Sequence, residues 1–254
     1  MSDVAIIGLG HVGSIMRELF PDSVVYDEPK EIGTRESVNN CSVAFICVPT
    51  PQGKEGACDT SIVEYVLTWI ESKVVVLRST VPVGFSDAAK RRYNKRIVFQ
   101  PEYYGETNAH PFANPHSRSW ITLGGDITDT RLVANIYRHV FTSELVVHMV
   151  DARTAELAKY MENCFLALKV TFCNQFYDLA QASDVDYDQL RETWLLDPRI
   201  GRSHTFVYQD NRGYGGSCLP KDLSSTIMQA KALGVKVPLL EAVAATNHLY
   251  QHSF

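Results

Sequence analysis

The stretch GYGGSCLPKD, residues 213–222, sets one cysteine between a glycine-rich run and a Pro-Lys-Asp that opens a helix. Gly213, Gly215 and Gly216 let the backbone bend tightly beside a ligand. Pro220 suits a first helical turn, and Asp222 suits the positive end of the helix dipole. A thiol at a helix N-terminus with Lys221 beside it has the setting of a nucleophile. The same residues also admit a plainer reading, with Cys218 as packing, Lys221 as a solvated cation and Asp222 as a cap.

A second stretch, VAIIGLGHVGSIM, puts Gly8, Gly10 and Gly13 between a strand and a helix, with His11 and Val12 between the last two. Gly8 permits the tight turn, Gly10 lets backbone approach a pyrophosphate, and Gly13 allows close helix–strand packing. The helix start then offers N–H groups and a dipole to the phosphates. Asp27, at the end of the second apolar run, is placed to accept hydrogen bonds from a ribose 2′-hydroxyl and to repel a 2′-phosphate. NAD is therefore expected in preference to NADP. The plainer alternative is a glycine turn followed by a surface aspartate.

Three more segments carry reactive side chains. RSTVPVG (78–84) places Thr80 just after the fourth apolar run, and QPEYYGE (100–106) places Glu102 and Glu106 after the fifth. Both lie where doubly wound sheets bind ligands, at the carboxyl edge. AELAKYMEN sets Lys159 and Asn163 four residues apart, on one face of a long helix.

The elements that must position these residues follow from apolar patterning. The first 150 residues alternate runs such as VAIIG (4–8), SVVYD (23–27), VAFICV (43–48), VVVLRS (74–79), RIVF (96–99), WITLG (120–124) and LVVHM (145–149) with helical stretches near 12–20, 60–71, 85–93 and 128–140. Continuous apolar strands are expected where both sheet faces are covered. The pattern predicts an α/β fold with a mostly parallel, doubly wound, Rossmann-like sheet in residues 1–150. Asp59 and Thr60 make an N-cap before SIVEYVLTWI.

Residues 151–254 change texture. A helix over 154–182 carries apolar residues at 157, 161, 164, 165, 168, 172, 176 and 179, with Leu166 and Val170 on a second face. That breadth predicts a helix buried between partners. A polar loop (197–217) and helices near 221–233 and 239–251 complete a small all-helical unit. His204, Tyr208 and Arg212 in the loop are expected to be solvated or to touch a ligand.

Bulk properties narrow the function. The chain has 254 residues, a hydrophobic fraction of 45% and a formal net charge of -5. No Lys/Arg block suggests nucleic acid as a partner. No apolar run is long enough to span a membrane, and MSDVAIIG is not a signal peptide. The six cysteines show no paired spacing, so neither a metal site nor disulfides are expected, and a reducing cytoplasmic setting fits.

Together, GLGHVG, VPTP (48–51), STVPVG, PEYYGE, AELAKYMENCFLALKVTFCNQ, DPRIG (197–201) and GYGGSCLPKD resemble the UDP-glucose/GDP-mannose dehydrogenase family, in the family's order and over essentially the whole chain. The resemblance implies an NAD-dependent, four-electron oxidation of a nucleotide-sugar primary alcohol to a carboxylate. It implies Cys218 as the nucleophile forming a thiohemiacetal and then a thioester. Lys159 and Asn163 would stabilise oxyanion charge, and Asp222 would orient water and Lys159. Thr80 and Glu102 would hold or activate water, with Glu102 the general base. Gly8, Gly10, His11, Val12, Gly13, Asp27, Pro49, Thr50, Thr80 and Lys221 would line the cofactor, and Glu106, Arg199, Tyr208 and Gly215 the substrate. A homodimer through the central helices is implied in the same way.

Family members continue into a further α/β domain completing the nucleotide site, so this sequence reads as a short form without it. Gln175 stands where the family commonly has glutamate. Two other functions stay open: a single-step dehydrogenase of the β-hydroxyacid kind, which would not need Cys218, and a non-catalytic NAD-binding protein.

Overall fold

Strands form where the chain runs apolar and β-branched. They are β1 (Val4–Ile7), β2 (Val24–Tyr26), β3 (Val43–Ile46), β4 (Val74–Leu77), β5 (Ile97–Phe99), β6 (Trp120–Gly125) and β7 (Val146–Val150). The computed structural model describes residues 3–104, 114–141 and 145–252. The strands make one sheet of order β2-β1-β3-β4-β5-β6-β7. Every pairing is parallel except β5 with β6. Helices α1 (His11–Leu19), α2 (Arg35–Asn39), α3 (Ser61–Trp69), α4 (Phe85–Tyr93) and α5 (Ile127–Arg138) connect the strands.

The residues of β1 divide between two cores. Ala5 and Ile7 pack in one cluster with Val63, Leu67 and Ile70 of the α3 side. Val4 and Ile6 pack in the other with Met16, Leu19 and Tyr137. Burial on both faces is why the central strands read as unbroken apolar runs. The strand β7 departs from that expectation. It lies at the sheet edge, and Val146 is 63% exposed although four of its five residues are apolar.

Capping chemistry explains several helix starts. At α3 the carboxylate of Asp59 accepts from the Ser61 N–H at 2.9 Å, whereas the Thr60 hydroxyl donates to Glu64. Thr60 holds the N-cap position, and the side-chain bond to the helix start comes from Asp59. The short α2, absent from the sequence reading, is held by a reciprocal Thr34–Ser37 capping box.

The chain divides into two compact units, Met1–Pro51 with Cys58–Lys159, and Gln52–Ala57 with Tyr160–Phe254. The division falls inside α6 (Ala152–Ala182). The second unit holds the rest of α6 with α7 (Tyr187–Trp194), α8 (Leu219–Ala232) and α9 (Pro238–His252). Helix α7, not expected from the sequence, is capped by Asp186 through the Gln189 N–H. One core of the second unit joins Cys164, Ala167 and Val170 of α6 with Tyr214, Leu223 and Val243.

Helix α6 corrects one expectation. Met161, Phe165, Phe172, Phe176 and Leu179, predicted to be buried, are between 41% and 75% exposed in the single chain. The buried face instead holds Tyr160 and Val170 among mostly small or polar residues, Asn163, Cys164, Ala167, Thr171, Cys173 and Asn174. Periodicity shows that a face is apolar, not which partner covers it.

Candidate cofactor cradle and thiol site

The first unit sets its glycine turn, Pro49 and Thr50 at the carboxyl ends of β1 and β3, where the chain leaves β1 toward β2 and β3 toward β4, in opposite directions along the sheet. Gly8 has φ +86°, and a Cβ there would lie 3.0 Å from the Cys47 and Val48 backbone. A Cβ on Gly13 would lie 1.8 Å from the Gly8 carbonyl oxygen, so α1 packs against the turn at a distance only glycine allows. Gly10 differs, because a Cβ there would meet nothing within 4 Å. The turn is thus tight on its inner side and open over Gly10 and His11, which are exposed at the start of α1. That shape fits a dinucleotide pyrophosphate.

Asp27 is buried at the end of β2. Its carboxylate accepts from the Leu9 N–H at 2.6 Å and from the Lys30 N–H at 3.1 Å, tying the glycine turn to the next loop. The Lys30 ammonium donates to the Leu9 carbonyl. Each carboxylate oxygen keeps a further lone pair for a ribose hydroxyl. Pro49 is exposed and Thr50 buried after β3, while Val12 is half-buried behind the glycine turn.

The loops after β4 and β5 are fixed by a residue that sequence reasoning passed over. Arg78 is 2% exposed and donates to the Gln100 and Pro101 carbonyls, both at 3.0 Å. It also forms an ion pair with Glu102, whose second oxygen takes the Tyr104 N–H. Burial works against the Arg78 charge, and the Glu102 carboxylate together with Tyr137, Tyr104 and Cys47 outweighs it, raising the guanidinium pKa. A charged residue ending the apolar run VVVLRS was the available signal. Thr80 is half-buried, and its carbonyl accepts from the Cys58 thiol. Lys159 is buried, with its ammonium 4.8 Å from the centre of the Tyr103 ring. Glu156, one turn earlier on α6, caps α4 by accepting from the Gly84 and Ser86 N–H groups. Burial raises its pKa, against the pull of those donors. Glu106 lies outside the described residues.

In the second unit, Cys218 is the N-cap residue of α8, and its carbonyl accepts the first helical bond from the Asp222 N–H at 2.9 Å. Of the six cysteines, all among the described residues, Cys218 alone is exposed. Burial pushes the Cys47 thiol up to about 12 and raises Cys41, Cys164 and Cys173 as well, so those sulfurs are held as thiols. The Ser217 hydroxyl lies 3.6 Å from the Cys218 sulfur.

Asp222 is 1% exposed and accepts from the Asn163 amide at 2.5 Å. The Lys221 ammonium is 2.7 Å from its other oxygen. The structure therefore brings Asn163, Lys221 and Asp222 together beside the turn that carries Cys218. Arg199 is exposed and paired with Asp197, and Tyr208 is exposed in a separate turn. Gly215 is exposed ahead of the thiol. Arg212 is neither solvated nor open to a ligand, because it is buried between Asn174 and Asp178.

Two models of one family match this chain. Residues 30–141 match the NAD binding domain of the UDP-glucose/GDP-mannose dehydrogenase family, and residues 153–249 match its central domain. The chain belongs to that family. Most of the residues that match the NAD binding domain lie in the first unit. A putative UDP-glucose 6-dehydrogenase of Bacillus subtilis is 31% identical over 229 residues, 84% of this chain and 52% of its own length. A UDP-glucose 6-dehydrogenase of Pseudomonas aeruginosa is 31% identical over 84% of this chain and 49% of its own. The chain spans about half the length of these curated relatives. A UDP-glucose dehydrogenase structure from Pyrobaculum islandicum superposes with a TM-score of 0.83 at 26% identity, covering 98% of this chain and 68% of that one.

The family's NAD-binding domain makes Asp27 testable. Asp27→Asn keeps an acceptor for the Leu9 N–H and removes the charge facing a 2′-phosphate. The ratio of NAD to NADP affinity, measured by calorimetry, is expected to fall at least about tenfold, the size of one charged hydrogen bond. An unchanged ratio would remove Asp27 from cofactor selection.

Proposed function

We propose that this chain oxidises the primary alcohol of a nucleotide sugar to a carboxylate through a covalent bond to Cys218. The observation that carries the reading is the exposed Cys218 thiol at the head of α8, with the buried Asn163–Asp222 pair one turn behind it. NAD, when bound, supplies the hydride acceptor for both oxidations. Cys218 attacks the aldehyde carbon left by the first oxidation, forming a carbon–sulfur bond while the carbonyl oxygen takes a proton. The second oxidation makes this thiohemiacetal a thioester. Water then breaks the carbon–sulfur bond, releasing the carboxylate and the thiol.

Lys159 and Asn163, one turn apart on α6, supply a cation and an amide donor for oxygen charge in these steps. Asp222 fixes the Asn163 amide and orients water. Glu102 acts as base toward the hydrolytic water, with Arg78 and the Tyr104 N–H holding its carboxylate in place, and Thr80 holds that water. Lys221 neutralises Asp222 and is assigned to cofactor binding. Arg199, Tyr208, Gly215 and Glu106 serve the sugar nucleotide. Six unbridged cysteines support work in a reducing compartment such as the cytoplasm.

The test is NADH yield per sugar with purified protein and a panel of UDP- and GDP-sugars. Two equivalents are expected. One equivalent would point to a single-step hydroxy-compound dehydrogenase, and none with any sugar nucleotide would overturn the enzyme reading.

We also propose that two copies pair through the exposed apolar face of α6. A row of Met161, Phe165, Phe172, Phe176 and Leu179 along one helix is the kind of surface that marks an interface. Phe165→Glu with Phe172→Glu is expected to halve the sedimenting mass. An unchanged mass, or a monomeric parent protein, would defeat the pairing.

A further inference from the structure

The turn that leads into Cys218 is held by side chains that do not themselves touch the thiol. Asn247, on α9 and 5% exposed, accepts from the Tyr214 N–H at 2.7 Å and donates to the Tyr214 carbonyl at 2.9 Å. One side-chain amide thereby satisfies both polar groups of one residue, as a neighbouring β-strand would. Gln251, one turn later on α9, donates to the same carbonyl at 2.8 Å. On the other side Asn174, 1% exposed on α6, accepts from the Gly213 N–H at 3.2 Å and from Arg212 at 2.6 Å.

The fit around Asn247 is close enough to dictate sequence. Gly213 has φ +77°, and a Cβ on it would lie 2.4 Å from the Asn247 amide oxygen. Glycine is therefore required there by the amide as well as by the backbone angle. Tyr214 is itself buried in the core of the second unit with Leu223 of α8. Downstream, the chain is fixed again where the Asp222 N–H bonds to the Cys218 carbonyl. Only Gly215, Gly216 and Ser217, all exposed, lie between the two anchors. With Tyr214 held, these three residues have little freedom to move the sulfur. With it released, two glycines in succession form a swivel.

We infer that Asn247 is a positioning residue for Cys218, its amide fixing Tyr214 so that the sulfur is presented at the head of α8. The inference rests on the proposed thiol chemistry for its catalytic consequence, but its mechanical part stands apart from it. Capture of the aldehyde needs the sulfur in place, whereas the first oxidation does not. Loss of the clamp should therefore divide the two oxidations, and a general loss of structure would slow both alike.

The experiment compares Asn247→Ala, Asn247→Asp and the parent protein by two readouts. The first is NADH yield per sugar with the rate of acid formation. Asn247→Ala is expected to fall from two equivalents toward one and to form acid about 10²-fold more slowly, the cost of a roughly 1 Å misplacement. Asn247→Asp, which still accepts from the Tyr214 N–H, should recover part of that loss and covers the case in which the alanine variant does not fold. The second readout is the spectrum of a nitroxide attached to Cys218, with labelling at that position verified by peptide mass spectrometry. Line narrowing in Asn247→Ala, smaller in Asn247→Asp, is expected. A parental nitroxide spectrum, or equal slowing of both oxidations, would overturn the inference. If the parent protein makes no NADH from any sugar nucleotide, the dehydrogenase reading fails and the nitroxide spectra alone decide the clamp.

Discussion

Cys218→Ser is expected to stop the reaction after one oxidation, with one equivalent of NADH per sugar, aldehyde in place of acid, and acid formation down by about 10³-fold or more. Serine keeps the size and the exposed position at the head of α8, so folding should not suffer. Its hydroxyl is a far weaker nucleophile than a thiol unless a base takes its proton, and the nearest carboxylate on α8, Asp222, is already engaged by Asn163 and Lys221. The melting temperature should stay within about 1 °C, as for other exposed substitutions that preserve size and leave the backbone unchanged. Calorimetric NAD affinity should also be unchanged, since the glycine turn belongs to the other unit. Acid formed at the parental rate would remove the covalent mechanism. An alkylating reagent offers a parallel check. With the other five cysteines buried or half-buried, one equivalent should modify Cys218 first and abolish acid formation in step with labelling.

The strands were legible because burial on both faces leaves an unbroken apolar run, and β1, β3 and β4 are such strands. Cys218 could be placed at a helix start because Pro220 and Asp222 are first-turn residues, and α8 does begin at Leu219. What escaped the sequence reading is long-range. Asn247 lies 33 residues from Tyr214, and nothing local distinguishes an amide that grips a distant backbone from one that faces water. Arg78 was visible as a charge inside an apolar run, but its partners at Gln100, Pro101 and Glu102 come from the next strand's loop. Gly213 was read as freedom for a ligand, whereas the Asn247 side chain fills the space beside it. The exposed row on α6 fails for a related reason. Its periodicity is an intrinsic property of one helix and carries no information about what the face meets.

The glycine turn gives the sharpest separation between folding and cofactor binding. Gly10→Ala and Gly13→Ala each add one methyl group, three residues apart, yet they should fail in different ways. At Gly13 the new Cβ would lie 1.8 Å from the Gly8 carbonyl oxygen and 2.9 Å from its carbon, and both obstacles are backbone. Helix α1 would have to move away from the β1 turn, separating Met16 and Leu19 from the core they share with Ile6 and Phe45. Overpacking of this kind costs about 3 kcal/mol. In a chain of this size that corresponds to a drop of about 6–12 °C in melting temperature. At Gly10 the φ of −76° suits any residue and the added carbon meets nothing within 4 Å, so the melting temperature should hold within about 1 °C. The methyl group would instead stand in the open space over the start of α1, where a pyrophosphate must approach the backbone, and NAD affinity should fall about 10²-fold or more. Thermal unfolding and calorimetric titration of the two variants therefore decide the assignment. If Gly10→Ala binds NAD as the parent does, the open side of this turn is not where the phosphates lie. If Gly13→Ala melts with the parent, α1 does not pack against the turn at the distance that makes glycine necessary.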